Sequence, residues 1–193
     1  MKAKNPYFFT GKNPTVDLIV FNDDKVLLIK RREGGVEGGK WAFPGGFHDT
    51  NAKQGQVWEN NKETVEEAAF RELEEETCLN LNNHFLDGKL NLQFVGIYEG
   101  NKRDPRDNKK SWSSSSVFMV DLPLDIDKSK IRGADDAEDV NWFTPAEIKK
   151  MKLAFDHSII FEEALFFRNQ LPIDFGCKKT EKSPTKLAVH KLC

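Results

Sequence analysis

Apolar positions fall in short runs along the chain, first at strand spacing and then at helix spacing. "NPTVDLIVF" (Asn13 to Phe21) and "KVLLIKRR" (Lys25 to Arg32) are β-prone runs separated by "NDD" (Asn22 to Asp24). Turn chemistry between two such runs predicts a hairpin. After the flexible "EGGVEGG" loop, "KWAFPGGF" (Lys40 to Phe47) reads as a brief strand ending at Pro44-Gly45-Gly46. Proline breaks the strand, and glycine allows close backbone approach. Residues 48 to 62 are polar and read as a long surface loop.

A helix is expected from about Asn61 to Thr77. Asn60 and Glu63 have capping-box spacing. Val65, Ala69 and Leu73 recur every four residues, with Ala68 beside them, and form a narrow apolar stripe. "NLQFVGIYE" (Asn91 to Glu99), "SSSSVFMVDL" (Ser113 to Leu122) and "EDVNWFT" (Glu138 to Thr144) are strand candidates. Thr144-Pro145 is an N-cap followed by proline at the first helical position. A last helix is expected from Asp156 to about Asn169, burying Ile159, Ile160, Ala164, Leu165 and Phe166. This gives an N-terminal arm over 1–12, one domain over 13–170 with an insertion at 48–62, and a lysine-rich tail over 171–193.

Composition adds only exclusions. The chain has 193 residues and a net charge of −2, which gives no global argument for nucleic-acid binding. Cys78, Cys177 and Cys193 form no C-x-x-C pair. Neither a disulfide framework nor a zinc site is suggested, and a reducing, cytoplasmic setting fits. Lys4 and Lys12 interrupt any signal-peptide core, and no apolar run reaches membrane-spanning length.

Charge is concentrated in "AAFRELEEETCLN" (Ala68 to Asn80), which carries four glutamates and one arginine. Glu72 and Glu76 are four apart and share a helix face, and Glu75 borders it. Like charges at that spacing repel, but together they form a hard-oxygen site suited to Mg²⁺ or Mn²⁺. Arg71 is expected to point elsewhere and tie a neighbouring carboxylate. A solvated acidic face is the plain alternative. Two neighbours weigh against it: the Pro44-Gly45-Gly46 backbone, and the arginines of "RDPR" (Arg103 to Arg106), which suit phosphate or carboxylate.

Glu63, seven intervening residues, Arg71-Glu72-Leu73-Glu74-Glu75-Glu76-Thr77 and the aliphatic Leu79 resemble the Nudix box, G-x5-E-x7-R-E-U-x-E-E-x-G-U. Two departures stand out. Gly46 to Glu63 encloses sixteen residues where the family has five, an eleven-residue insertion. Cys78 replaces the glycine that ends the helix, and keeping a left-handed backbone there would cost about 1 kcal/mol. "RDPR", "ADDAEDVNWFTPAEI" (Ala134 to Ile148) and "LAFDHSIIFEEAL" (Leu153 to Leu165) are together similar to the ADP-ribose pyrophosphatase group, which includes NrtR-type regulators. A further departure is Asp107, where that group tends to continue with glycine.

The resemblance implies an α/β/α sandwich with a mixed sheet. It implies hydrolysis of a nucleoside diphosphate linked to another moiety, foremost ADP-ribose to AMP and ribose 5-phosphate. It places Mg²⁺ or Mn²⁺ on Glu72, Glu75 and Glu76 with a Gly45 or Gly46 carbonyl, and Arg71 among the catalytic residues. Arg103, Asp104 and Arg106 become substrate-binding candidates. The general base stays open among the box glutamates, Asp135, Asp136 and Glu138. Asp156 is expected to cap the last helix, His157 to pack in its first turn, and Glu74 to face solvent. Trp41, Phe43 and Phe47 are expected in the core, with one of them against adenine as the alternative. Trp58 and the insertion are expected to cover the substrate. The implied partner is a small-molecule nucleotide, with neither nucleic acid nor membrane, and a homodimer is left open. The alternatives are NADH, nucleotide sugars or oxidised nucleotides as substrates, or an ADP-ribose sensor. The twenty-three residues after Gln170 are too few for the sensors' winged helix.

Overall fold

A computed structural model describes residues 9–53, 56–82, 84, 87–88, 90–100, 103–123 and 126–170. The expected tail and most of the expected arm lie outside them. Strand β1 (Gly11–Asn22) turns at Asp23 into β2 (Lys25–Arg31), in the expected hairpin. Phe21 pairs with Val26 and Asn22 with Lys25. The "KWAFPGGF" run forms two strands, β3 (Trp41–Ala42) and β4 (Gly45–Phe47), because Pro44 cannot donate across the break. Strands β5 (Gln93–Glu99), β6 (Ser111–Asp121) and β7 (Ala137–Phe143) complete a mixed sheet. Its order is β3-β2-β1-β6-β5, with β4 pairing β1 and β7 pairing β2. β1 and β6 run parallel from Gly11–Ser111 to Phe21–Asp121.

Both faces of β1 are covered, which explains its nearly unbroken apolar run. Val16, Leu18 and Val20 pack with Phe118 and Val120 beneath helix α1 (Val65–Thr77). Ile19 and Phe21 pack with Val117 and Met119 beneath helix α3 (His157–Gln170). The result is the expected α/β/α sandwich.

Two helix expectations need correction. α1 starts at Val65, four residues later than the pattern suggested. Thr64 caps it, accepting from the Glu67 N–H, while Glu67 accepts from the Thr64 N–H. Lys62 has φ +88°, so the chain reverses there, and Asn60 accepts from the Lys62 N–H instead of capping a helix. In α3 the buried residues are His157, Ile160, Phe161 and Ala164, whereas Ile159 and Phe166 are each 62% exposed. That helix is apolar on several faces, so periodicity alone did not select the packed one. The short helix α2 (Pro145–Ile148) has Thr144 as its N-cap and proline in its first turn, as expected.

Candidate active site

The carboxyl half of α1 lies along β4. Ala68, Ala69, Phe70 and Leu73 fix that placement by burying one helix face. The same seating carries Glu76 into the interior at 3% exposure, beside Glu72. Gly46 is needed there, because a Cβ would stand 2.6 Å from the Glu72 carboxylate. Gly45 is equally constrained, since its Cβ would stand 2.2 Å from the Val16 carbonyl oxygen. Its N–H donates to Glu76 Oε2 at 2.9 Å.

These carboxylates are electrostatically uncomfortable. Burial pushes Glu72 up to about 7; Glu75 and Asp135 add to this, and Arg71 opposes it. Burial also holds Glu76 well above the usual carboxylate range, Glu72 reinforces the shift, and the Gly45 N–H opposes it. A cation would relieve both. Arg71 does so in part. It donates to Glu63 at 2.7 Å, Glu72 at 2.8 Å, Glu75 at 3.0 Å and the Phe47 carbonyl at 2.9 Å. It thus ties carboxylates together, as expected, but it does not point away from the site. Glu63 belongs to this lock, which explains why it caps nothing. Glu75 is exposed and Glu74 half-buried, the reverse of the expectation for Glu74. Among the described residues no three His, Cys, Asp or Glu side chains converge as a preformed metal site. The donor chemistry nevertheless fits a hard divalent ion: the buried Glu76, the half-buried Glu72, the exposed Glu75 and a backbone loop against Glu72 and Glu76.

α1 and β4 form one wall of a cavity of about 540 Å³ that also takes in Asp17, Arg31, Phe47, Arg103, Asp104, Arg106, Asp135, Asp136 and Phe155. The expected residues Arg71, Glu72, Glu75, Glu76, Gly45 and Gly46 all line it, and so do Arg103, Asp104 and Arg106. Arg106 pairs with Asp104 at 2.7 Å and lies over the Phe47 ring at 5.4 Å. Arg103 is held at 3.0 Å by both Asp156 oxygens and at 3.2 Å by Asp17. Asp156 stands just before α3, and its backbone carbonyl accepts the Ile159 and Ile160 N–H groups, but its carboxylate is spent on Arg103 in place of the expected side-chain cap. His157 is buried as expected.

Glu138 does not line the cavity. It pairs with Lys30 at 3.3 Å, so only Asp135 and Asp136 of the three candidates outside the box reach the site. Trp58 also lies outside it. Its ring meets His48 edge-on at 5.8 Å, and it lines a second cavity of about 380 Å³ with Lys12, Lys62 and Ile97. Of the 48–62 segment, His48, Asp49 and Thr50 reach the main cavity. Phe43 is buried and Trp41 packs on Phe143, whereas Phe47 faces the cavity.

The sequence reading missed Asp17, Arg31 and Phe155. Asp17 had a usable signal, as the one charge inside an apolar strand run. Burial alone would raise its carboxyl. His157, Arg103 and Ser115 outweigh that and hold it well below the usual range.

A family model described as NUDIX domain matches residues 11–164. The chain belongs to the Nudix family. As a Nudix protein with Glu72, Glu75 and Glu76 lining one cavity, it is a pyrophosphohydrolase. It is 32% identical over 154 residues to the ADP-ribose pyrophosphatase of Methanocaldococcus jannaschii, covering 80% of this chain and 73% of that one. Over 153 residues it is 27% identical to an ADPR responsive transcriptional repressor of Acinetobacter baylyi, of which the match spans 52%. Among solved structures it resembles the NUDIX domain of Shewanella oneidensis NrtR complexed with ADP ribose. That match has a TM-score of 0.62 and 26% identity, and covers 86% of this chain and 94% of the other. No helix among the described residues is long and apolar enough to cross a membrane.

Proposed function

We propose that this Nudix protein hydrolyses ADP-ribose to AMP and ribose 5-phosphate with a divalent cation, Mg²⁺ or Mn²⁺. The observation that carries the reading is the pair of charge-strained carboxylates, half-buried Glu72 and buried Glu76, facing a cavity shared with arginines. The likeness to an ADP-ribose pyrophosphatase and to an ADP-ribose-bound domain supports the choice of substrate.

Glu72, Glu75 and Glu76, with a Gly45 or Gly46 carbonyl, would hold the cation. When bound, such an ion neutralises charge on diphosphate oxygens and acidifies a water. Arg71 keeps Glu72 and Glu75 on one side of the cavity and shares their charge. Arg106 lines the same cavity and meets the diphosphate, and Asp104 sets its plane through the paired contact. Arg103 is tied to Asp156, Asp17 and Ser113, so it contributes a fixed positive potential more than a mobile clamp. Of the carboxylates outside the box that line the cavity, Asp135 and Asp136 are our candidates to accept a proton from the attacking water. Positioning and electrostatics supply most of the acceleration.

A sensor that binds ADP-ribose without cleaving it is the second reading, favoured by the likeness to the repressors. AMP release from ADP-ribose, NADH, nucleotide sugars and nucleoside triphosphates with Mg²⁺ separates the two. The expected outcome is that ADP-ribose leads. Binding of ADP-ribose without AMP release would favour the sensor.

A further inference from the structure

The turn entering α3 is fastened to the strand end that precedes the cation loop. Phe155 has φ +53°, a left-handed backbone that a bulky side chain rarely adopts. Such a conformation persists only where its surroundings over-determine it. Three contacts do so here. The Ala154 N–H donates to the Trp41 carbonyl at 2.8 Å. Asp156 clamps Arg103. The Phe43 N–H donates to His157 Nδ1 at 3.0 Å, in the protein interior.

The last contact is unusual in kind. Pairing between β2 and β3 stops at Ala42, so the next backbone donor in the chain meets a side chain instead of a carbonyl. The rings of Phe43 and His157 stack at 4.9 Å, and both are about 1% exposed. Accepting at Nδ1 leaves the proton of a neutral imidazole on Nε2. Nε2 stands 3.3 Å from Asp17 Oδ1, within ion-pair distance but outside hydrogen-bond geometry. Asp17 in turn lies against Gly45 and pairs with it in register. Both ends of the Phe43-Pro44-Gly45 segment thus rest on one imidazole, directly at Phe43 and through Asp17 at Gly45. Gly45 is the residue whose N–H orients Glu76.

We propose that His157 is a positioning residue for the cation site: by accepting the Phe43 N–H it fixes the 43–46 backbone against Glu72 and Glu76. It touches neither substrate nor cation. The inference rests on the divalent-cation reading above. Groups that orient a ligand shell typically change metal affinity about 10- to 100-fold when removed.

The side-chain geometry offers a clean contrast. Asparagine places an oxygen acceptor near the Nδ1 position, whereas glutamine reaches toward the Nε2 position. Mn²⁺ binding is measured by calorimetry on the full chain without nucleotide, alongside amide exchange at Phe43 and Gly45. His157→Gln is expected to weaken Mn²⁺ binding by about 10-fold and to expose the Phe43 amide. His157→Asn is expected to stay within about 3-fold of the parent and to keep that amide protected. Equal losses in both variants, or unchanged Mn²⁺ affinity in His157→Gln, would overturn the proposal. The unsubstituted protein provides an independent check through its imidazole nitrogen shifts. The proposal requires a proton on Nε2 and none on Nδ1, and the opposite tautomer overturns it. Failure of the parent to bind Mn²⁺ would sink the cation reading and the proposal together, an outcome distinct from a variant-specific failure.

Discussion

Single carboxylates in this site carry opposite pH signatures. Asp17 is held below its ordinary value, so its contribution to stability is present above the unfolded carboxyl value of about 3.9. That contribution is lost as pH falls through the lower folded value. Asp17→Asn is therefore expected to lower the urea midpoint at pH 7, with the difference from the parent shrinking below about pH 4. A constant gap down to pH 2 would contradict this. Glu76 is the reverse case, because its burial opposes ionisation. In chelator at pH 8, Glu76→Gln is expected to melt above the parent while losing at least about 100-fold in AMP release. Cys78 shows φ +58°, so the box glycine's left-handed backbone is kept without glycine. Cys78→Gly is expected to stabilise by up to about 1 kcal/mol in urea unfolding, and a loss of stability would argue against strain there.

At the scale of elements, what was legible in the sequence was local. The β1–β2 hairpin, the Thr144 cap and the α1 stripe all follow from residues within a few positions of one another. The box motif placed Glu72, Glu75 and Glu76 together because one helix carries them. The start of α1 was misread because Asn60/Glu63 and Thr64/Glu67 share the same spacing, and only the reversal at Lys62 chooses between them. The cluster of Asp17, Arg103, Asp156 and His157 could not be read in advance. It joins Arg103 to Asp156 across 53 residues and to Asp17 across 86, and no spacing rule spans them. The 48–62 insertion is partly corrected. Asp49 and Thr50 reach the main cavity but Trp58 does not. Trp58→Ala is accordingly expected to leave the KM for ADP-ribose within about 2-fold, whereas replacing residues 49–59 with a short linker should raise it. An unchanged KM in the shortened chain would remove the insertion from substrate binding.

The fold as a whole keeps Glu72 and Glu76 away from water at a cost that a bound cation would relieve. Glu72 is pushed up to about 7, above its unfolded value, so it favours the folded state below about pH 4 and loses that contribution as pH rises through 7. The metal-free protein is expected to become less stable across that window. Saturating Mg²⁺ should restore stability most strongly at pH 8 and least at pH 5, through preferential binding to the folded chain. The proposed hydrolysis depends on the same carboxylates. The most direct test is AMP release from ADP-ribose, measured with Mg²⁺ and with chelator, in the parent and in Glu76→Gln. The account predicts release by the parent with Mg²⁺, none above background in chelator, and a loss of at least about 100-fold in the variant. Equal release with and without divalent cation, or full activity in Glu76→Gln, would contradict it.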